Sequence, residues 1–138
     1  MTKFARVNSL AFDYYGTIGD KQGLSAIIDI HFPGKGSAMA KVWFAALQRY
    51  CFQIGMMELY IPWEELTKAA FTSAAADLSI ETSDAVRDEL IAADQSLPAY
   101  PEANAALRRL TKKFDIYVLS MGSPWMIEQS QKDAGIDH

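Results

Sequence analysis

Two short apolar runs end in the same way, and few folds accommodate both. Leu10-Ala11-Phe12 leads into Asp13, with Gly16 and Thr17 three and four residues further on. Ile116-Tyr117-Val118-Leu119 leads into Ser120 and then Met121-Gly122-Ser123-Pro124, a glycine turn followed by a helix start. Apolar runs of this length bounded by turn residues read as buried strands, here Val7 to Phe12 and Asp115 to Leu119. Helical periodicity fills the long interval between them, so the pair reads as parallel strands of an α/β fold. Ligands of such sheets bind beyond the carboxyl ends of the strands, where Asp13 and Ser120 stand. Asp13 is therefore a candidate nucleophile. A turn or capping aspartate is the alternative reading of D-x-x-G-T on its own.

The interval resolves into helices with recognisable ends. Leu24 to Phe32 carries Leu24, Ile27, Ile28 and Ile30 and closes at Pro33-Gly34. Ser37 to Met57 holds the longest pattern, with Met39, Trp43, Leu47, Tyr50 and Ile54 forming one apolar stripe. Pro62 suits the first turn of a third helix running to about Leu78, with Glu64 and Glu65 near its positive end. Thr82, Ser83 and Asp84 offer caps for a fourth helix to about Gln95. A fifth, Glu102 to Lys113, carries Arg108, Arg109, Lys112 and Lys113 at its negative end, which makes them dipole and solvent contacts. The last spans Pro124 to Ala134 and stops at Gly135.

Composition narrows the partners. A net charge of −4, a pI near 5.1 and no basic helix face argue against nucleic acid. Half the residues are apolar and 22% charged, as in an ordinary soluble domain, and 138 residues suffice for one real core. No apolar stretch reaches a membrane span, and Met1 to Arg6 lacks a secretory apolar core. Cys51 is the only cysteine, which rules out an internal disulfide or a cysteine-cluster metal site. A cytoplasmic protein that uses neither cofactor nor metal is expected.

The strand-end segments resemble two motifs of the haloacid dehalogenase superfamily, in its type II L-2-haloacid dehalogenase branch. Phe12-Asp13-Tyr14-Tyr15-Gly16-Thr17-Ile18 is similar to that branch's F-D-x-Y-G-T-L, and Leu119-Ser120-Met121-Gly122-Ser123-Pro124 to its L-S-N-G-S-P. Phe32-Pro33-Gly34-Lys35-Gly36 resembles its F-P-G-x-G, and Trp43 falls where it has a tryptophan. The resemblance covers essentially the whole chain, and the family's chains run on well past this length. It implies a Rossmann-like core, incomplete here with two parallel strands, and an inserted helical cap. The implied boundaries are core to residue 20, cap from 21 to 97, and core from 98 to 138. It also implies pairing of two copies through their helical regions, and a chain that is either part of a longer reading frame or half of something completed by another chain.

The implied chemistry is hydrolysis of a small 2-substituted carboxylic acid. Asp13 matches the nucleophile that displaces halide from C2, and water then cleaves the resulting aspartyl ester, two easier steps in place of one hard one. Thr17 and Ser120 match hydroxyls that hold the ionised carboxylate, and the turn amides near Tyr14 and Tyr15 match its substrate-carboxylate contacts. Superfamily phosphatases place a second acid where Tyr15 stands, to protonate a leaving oxygen. Halide leaves without a proton, and tyrosine offers Mg²⁺ no carboxylate. A packed aromatic is the alternative reading of Tyr15, and a core anchor that of Trp63, which falls where the family lines its pocket. His31 and His138 have no second ligand nearby in sequence and read as structural or solvated.

Two positions depart from the pattern. Phe44 stands where the family carries a halide-receiving arginine, with Lys41 three residues earlier as a partial stand-in, although a lysine lacks arginine's fork. Met121 replaces the asparagine of the second motif. The family's later lysine and acidic motifs have no counterpart, since Lys132 comes too soon after Ser120. Two further readings therefore stand beside the dehalogenase: a Mg²⁺-dependent phosphatase of the same superfamily, and a degenerate, non-catalytic domain kept for binding or oligomerisation.

Overall fold

The computed structural model describes residues 7–133. Its elements are β1 (Ser9–Phe12), α1 (Gln22–His31), α2 (Gly36–Met56), α3 (Trp63–Asp77), α4 (Asp84–Gln95), α5 (Ala103–Leu110), β2 (Asp115–Val118) and α6 (Pro124–Asp133). They form two compact units, Met1–Asp20 with Leu97–His138, and Lys21–Ser96. No helix of the described residues is long and apolar enough to cross a membrane.

In the first unit β1 and β2 pair in parallel, Ser9 opposite Asp115 and Phe12 opposite Val118. Backbone bonds from Asp115 N to Asn8 O (2.9 Å) and from Leu119 N to Phe12 O (2.8 Å) extend the ladder at both ends. The strands are shorter than the apolar runs implied and are not buried on both faces. Leu10, Phe12, Ile116 and Val118 are half-buried, whereas Ser9, Ala11, Asp115 and Tyr117 face solvent. A parallel strand is buried on both faces only when layers cover both, and the described residues cover one. Leu119, Met121 and Trp125, beyond the end of β2, are exposed as well.

The passages leading out of and back into this unit are tied together. Asp20 N donates to Pro98 O (2.7 Å) and Tyr100 N to Ile18 O (2.9 Å), beside an antiparallel bridge between Gly19 and Ala99. Below them Tyr14, Ile18, Leu97, Leu107 and Met126 make the core. Helix α5 stops at Leu110, so Arg108 and Arg109 lie in its last turn while Lys112 and Lys113 lie past it. Thr111 Oγ1 donates back to the Arg108 carbonyl (3.2 Å), a local bond that competes with continued helix. Gly135 and His138 lie outside the described residues.

The helical unit packs α2 against α1 and α3, with α4 touching α1 and α3. The α2 stripe buries Met39, Trp43 and Leu47 and leaves Tyr50 and Ile54 half-buried. Alanines 70, 74 and 75 are buried on α3, where small side chains let the helices approach closely. The Trp43 ring meets Phe71 edge-on at 5.0 Å, an arrangement worth about 0.5–1.5 kcal/mol beyond its buried area. Pro62 precedes α3 as its cap residue, one position earlier than the first turn, with Glu64 and Glu65 in the first turn. Ser83 Oγ caps α4 by accepting from Val86 N (3.3 Å). His31 does have a partner, Glu89 Oε1 at 3.2 Å.

A buried polar chain crosses this core. Trp43 Nε1 donates to Thr67 O (3.0 Å), and Thr67 Oγ1 donates to Asp94 Oδ2 (3.1 Å). Burial pushes the Asp94 carboxyl up, while Lys21 and the Thr67 hydroxyl pull it back down. The folded state thus holds this proton to higher pH than the unfolded chain does. The stability that this proton contributes should therefore be present in full below the ordinary carboxylate range and be lost as pH rises through the raised value, where the decline levels off. Asp94→Asn, which cannot ionise, is expected to flatten that decline in urea midpoints measured across pH.

Candidate functional site

β1 delivers Asp13 to the first position beyond its last paired residue, and β2 delivers Ser120 two residues past its own. Because Phe12 and Val118 are in register, both side chains project from the same end of the sheet. The chain then turns sharply. Tyr14 O accepts from Thr17 N (3.2 Å), Ile18 N (2.9 Å) and Gly19 N (2.8 Å). That turn brings Thr17 Oγ1 back to donate to Asp13 Oδ2 at 3.4 Å. Asp13 and Thr17 are both exposed, so the carboxylate is open to a ligand.

The second loop is built from its serines. Ser120 Oγ accepts from Gly122 N (3.1 Å), which leaves its proton to donate elsewhere. Ser123 caps α6: its Oγ accepts from Met126 N (3.4 Å) and its carbonyl from Ile127 N (3.1 Å), with Pro124 at the first helical position. A Cβ on Gly122 would lie 2.9 Å from Tyr15 Cε2, so only glycine lets the two loops close on one another. Met121, in the same turn, is exposed.

Tyr14 and Tyr15 are buried and meet edge-on at 5.2 Å. Tyr14 Oη donates to the Ser130 carbonyl (2.9 Å), and Tyr15 Oη lies 3.4 Å from Ser130 Oγ. The Tyr14 side chain is thus a core strut, and what it offers the loop face is backbone. Ser130, wholly buried on α6, holds both rings, and no motif marks it in the sequence.

A cavity of about 190 Å³ in this unit is lined by Tyr14, Ile18, Leu107, Ile116 and Val118, and does not include Asp13. Among the described residues no three His, Cys, Asp or Glu side chains gather as a metal site.

Phe44 and Trp63 belong to the helical unit. Trp63 is the first residue of α3 and half-buried. Phe44 is 40% exposed on α2, and Lys21 Nζ sits over its ring, 4.0 Å from the centroid. Lys41 is exposed on α2, so the cation against this ring is Lys21, which sequence reasoning missed. Nothing local signals it: the pair is 23 positions apart, and Lys21 precedes α1.

Together the parallel pair, its two strand-end loops and the intervening helices define a haloacid dehalogenase-like α/β fold. The chain is homologous to L-2-haloacid dehalogenases. It is 29% identical over 137 residues to (S)-2-haloacid dehalogenase H-109 of Pseudomonas putida, an alignment covering 96% of this chain and 61% of the relative. Haloacetate dehalogenase H-2 of a Moraxella species is 26% identical, covering 96% and 59%. A crystal structure of an L-2-haloacid dehalogenase at 29% identity superposes with a TM-score of 0.91, over 96% of this chain and 61% of that one. The chain thus spans about three-fifths of the length of these relatives. No family model matches it.

Proposed function

We propose that this chain carries the nucleophile of a hydrolase acting on small (S)-2-halocarboxylic acids, with residues to 20 and from 98 as core and residues 21–97 as a helical cap. The observation that carries the reading is Asp13, exposed at a strand end with the Thr17 hydroxyl on its carboxylate at 3.4 Å. In the first step an Asp13 oxygen bonds to C2 as the carbon–halogen bond breaks, and halide departs with the electron pair. In the second, water adds to the Asp13 carboxyl carbon, the ester bond to that carbon breaks, and the 2-hydroxy acid leaves with C2 inverted. A proton is released and the carboxylate restored. Thr17 and Ser120 hold the carboxylate, and the turn at Tyr14 and Tyr15 receives the substrate carboxylate. Met121, exposed in the same loop as Ser120, bears on which acids fit. Tyr15, packed on Gly122, supplies no second acid, which weighs against phosphate-ester hydrolysis.

The test is incubation of the chain with (S)-2-chloropropionate, following chloride release and intact mass. A covalent adduct mapping to the peptide that contains Asp13, with chloride released in equal amount, is the expected result. Absence of both adduct and chloride across a set of 2-chloro and 2-bromo acids would reject the reading.

A further inference from the structure

We propose that Ser130 is a positioning residue for displacement at Asp13, fastening the loop after β1 to the same helix that carries the Ser120 loop. The inference rests on the haloacid reading and deepens it by naming what sets the Asp13 carboxylate against the Ser120 hydroxyl.

Helix α6 meets both loops. At its start it continues the second loop, since Ser123 caps it and Pro124 is its first residue. In its last turn Ser130 meets the two residues that follow Asp13. The Ser130 carbonyl accepts from Tyr14 Oη at 2.9 Å, at the negative end of the helix, where a donor is favoured. The Ser130 hydroxyl stands 3.4 Å from Tyr15 Oη, with either oxygen able to donate. The same Tyr15 ring presses on the second loop, where a Cβ on Gly122 would lie 2.9 Å from Cε2. Tyr15 thus bridges from the turn after Ser120 to the last turn of α6. Tyr14 is gripped at its other end as well: its carbonyl accepts from three amides, and a Cβ on Gly19 would lie 2.9 Å from its Cε1.

A serine at this position needs a reason. Met126 and Ser130 stand one turn apart on the same face of α6, and both are wholly buried. An apolar side chain would fill such a place at lower desolvation cost, whereas a buried hydroxyl is tolerated where it meets a polar partner, here Tyr15 Oη. The helix between the two anchor points is stiff. At about 1.5 Å per residue, the rise from Ser123 to Ser130 is roughly 10 Å, a fixed spacer between the loops. Attack at C2 is sensitive to that spacing, because a misplacement of about 1 Å costs roughly 10²-fold in rate. Binding of the acid is less so. The turn that receives its carboxylate is closed by backbone bonds to Tyr14 O, in which Ser130 takes no part. Loss of the Ser130 hydroxyl should therefore slow the displacement more than it weakens binding.

The experiment follows single-turnover alkylation of Asp13 by (S)-2-chloropropionate as the acid concentration is varied. Ser130→Ala is expected to lower the limiting rate by about 10- to 10²-fold and to leave the half-saturating concentration within about twofold. Tyr15→Phe removes the same contact from the other side and keeps the ring. It should give a similar loss, and the two losses should not add in the double variant. Ser130→Cys, a weak donor of similar size, should recover part of the rate. A second readout needs no turnover: the NMR signals of the Gly122 α-protons, which the ring current of Tyr15 displaces from ordinary glycine values. That displacement should shrink in Ser130→Ala. If Ser130→Ala fails to fold, Tyr15→Phe carries both measurements. An unchanged limiting rate with unchanged Gly122 signals, or losses that add in the double variant, overturn the role of Ser130 and leave the haloacid reading intact. Gly122 signals that move in Ser130→Ala, in a protein whose native form never alkylates Asp13, uphold the link between the loops and reject the haloacid reading.

Discussion

Asp13→Asn is expected to leave the chain folded and to remove both halide release and the covalent adduct. Asp13 is exposed past the end of β1, and its contact with Thr17 Oγ1 is a long 3.4 Å. Removing the charge there should change stability by no more than about 0.5 kcal/mol, the usual range for surface substitutions. Chemistry is another matter, since an amide oxygen is far too weak a nucleophile to displace halide from carbon. Deleting a nucleophile typically costs roughly 10⁴-fold or more in rate. The measurement is a pair: the urea midpoint, expected to stay put, and single-turnover intact mass, expected to show no adduct. An adduct that survives in Asp13→Asn would assign the displacement to another residue.

Gly36→Ala is the second large effect, and its sign runs against helix propensity. Gly36 is the first residue of α2, where alanine would ordinarily favour the helix by about 1 kcal/mol. Here a Cβ would run into the Ser25 carbonyl oxygen and lie 2.6 Å from Asp29 Cγ. The Asp29 carboxylate comes that close because Oδ1 accepts from Gly36 N at 2.7 Å, satisfying an amide at the start of the helix. The obstacles are helix backbone on α1 and a capping side chain, neither of which can give way without loosening the α1–α2 contact. Destabilisation of about 1–3 kcal/mol or more is therefore expected, as for overpacking in a core. Thermal unfolding checks it, and a midpoint at or above that of the native chain would show that α1 can shift to admit a methyl group. The second glycine of Phe32-Pro33-Gly34-Lys35-Gly36 is thus a packing requirement between two helices, a role that no turn rule would reveal.

Much of the architecture is legible because local chemistry marks it. Ser83 caps α4 as its residue type suggests, and Ser123-Pro124 opens α6. Met39, Trp43 and Leu47 recur at helical spacing, and all three are buried. Helix α5 is shorter than its composition implies, because the cations past Leu110 continue a favourable composition but not a favourable backbone: Thr111 Oγ1 bonds back to the Arg108 carbonyl. The apolar runs imply strands buried on both faces, because an apolar run carries no record of whether a covering layer is present on each side.

What the sequence determines here is whatever depends on neighbours along the chain: the two strand ends, the helix caps, the apolar stripe, and the placing of Asp13, Thr17 and Ser120 at loops where a ligand can reach. Tertiary structure alone decides which distant side chains meet. Ser130 anchors Tyr14 and Tyr15 across more than a hundred residues, Thr67 joins Trp43 to Asp94, and Lys21 covers Phe44. Periodicity and capping act over one or two helical turns, so they leave their mark in a short window of residues. A contact between helices depends on crossing angle, axial offset and side-chain length together. No short window of residues holds all three.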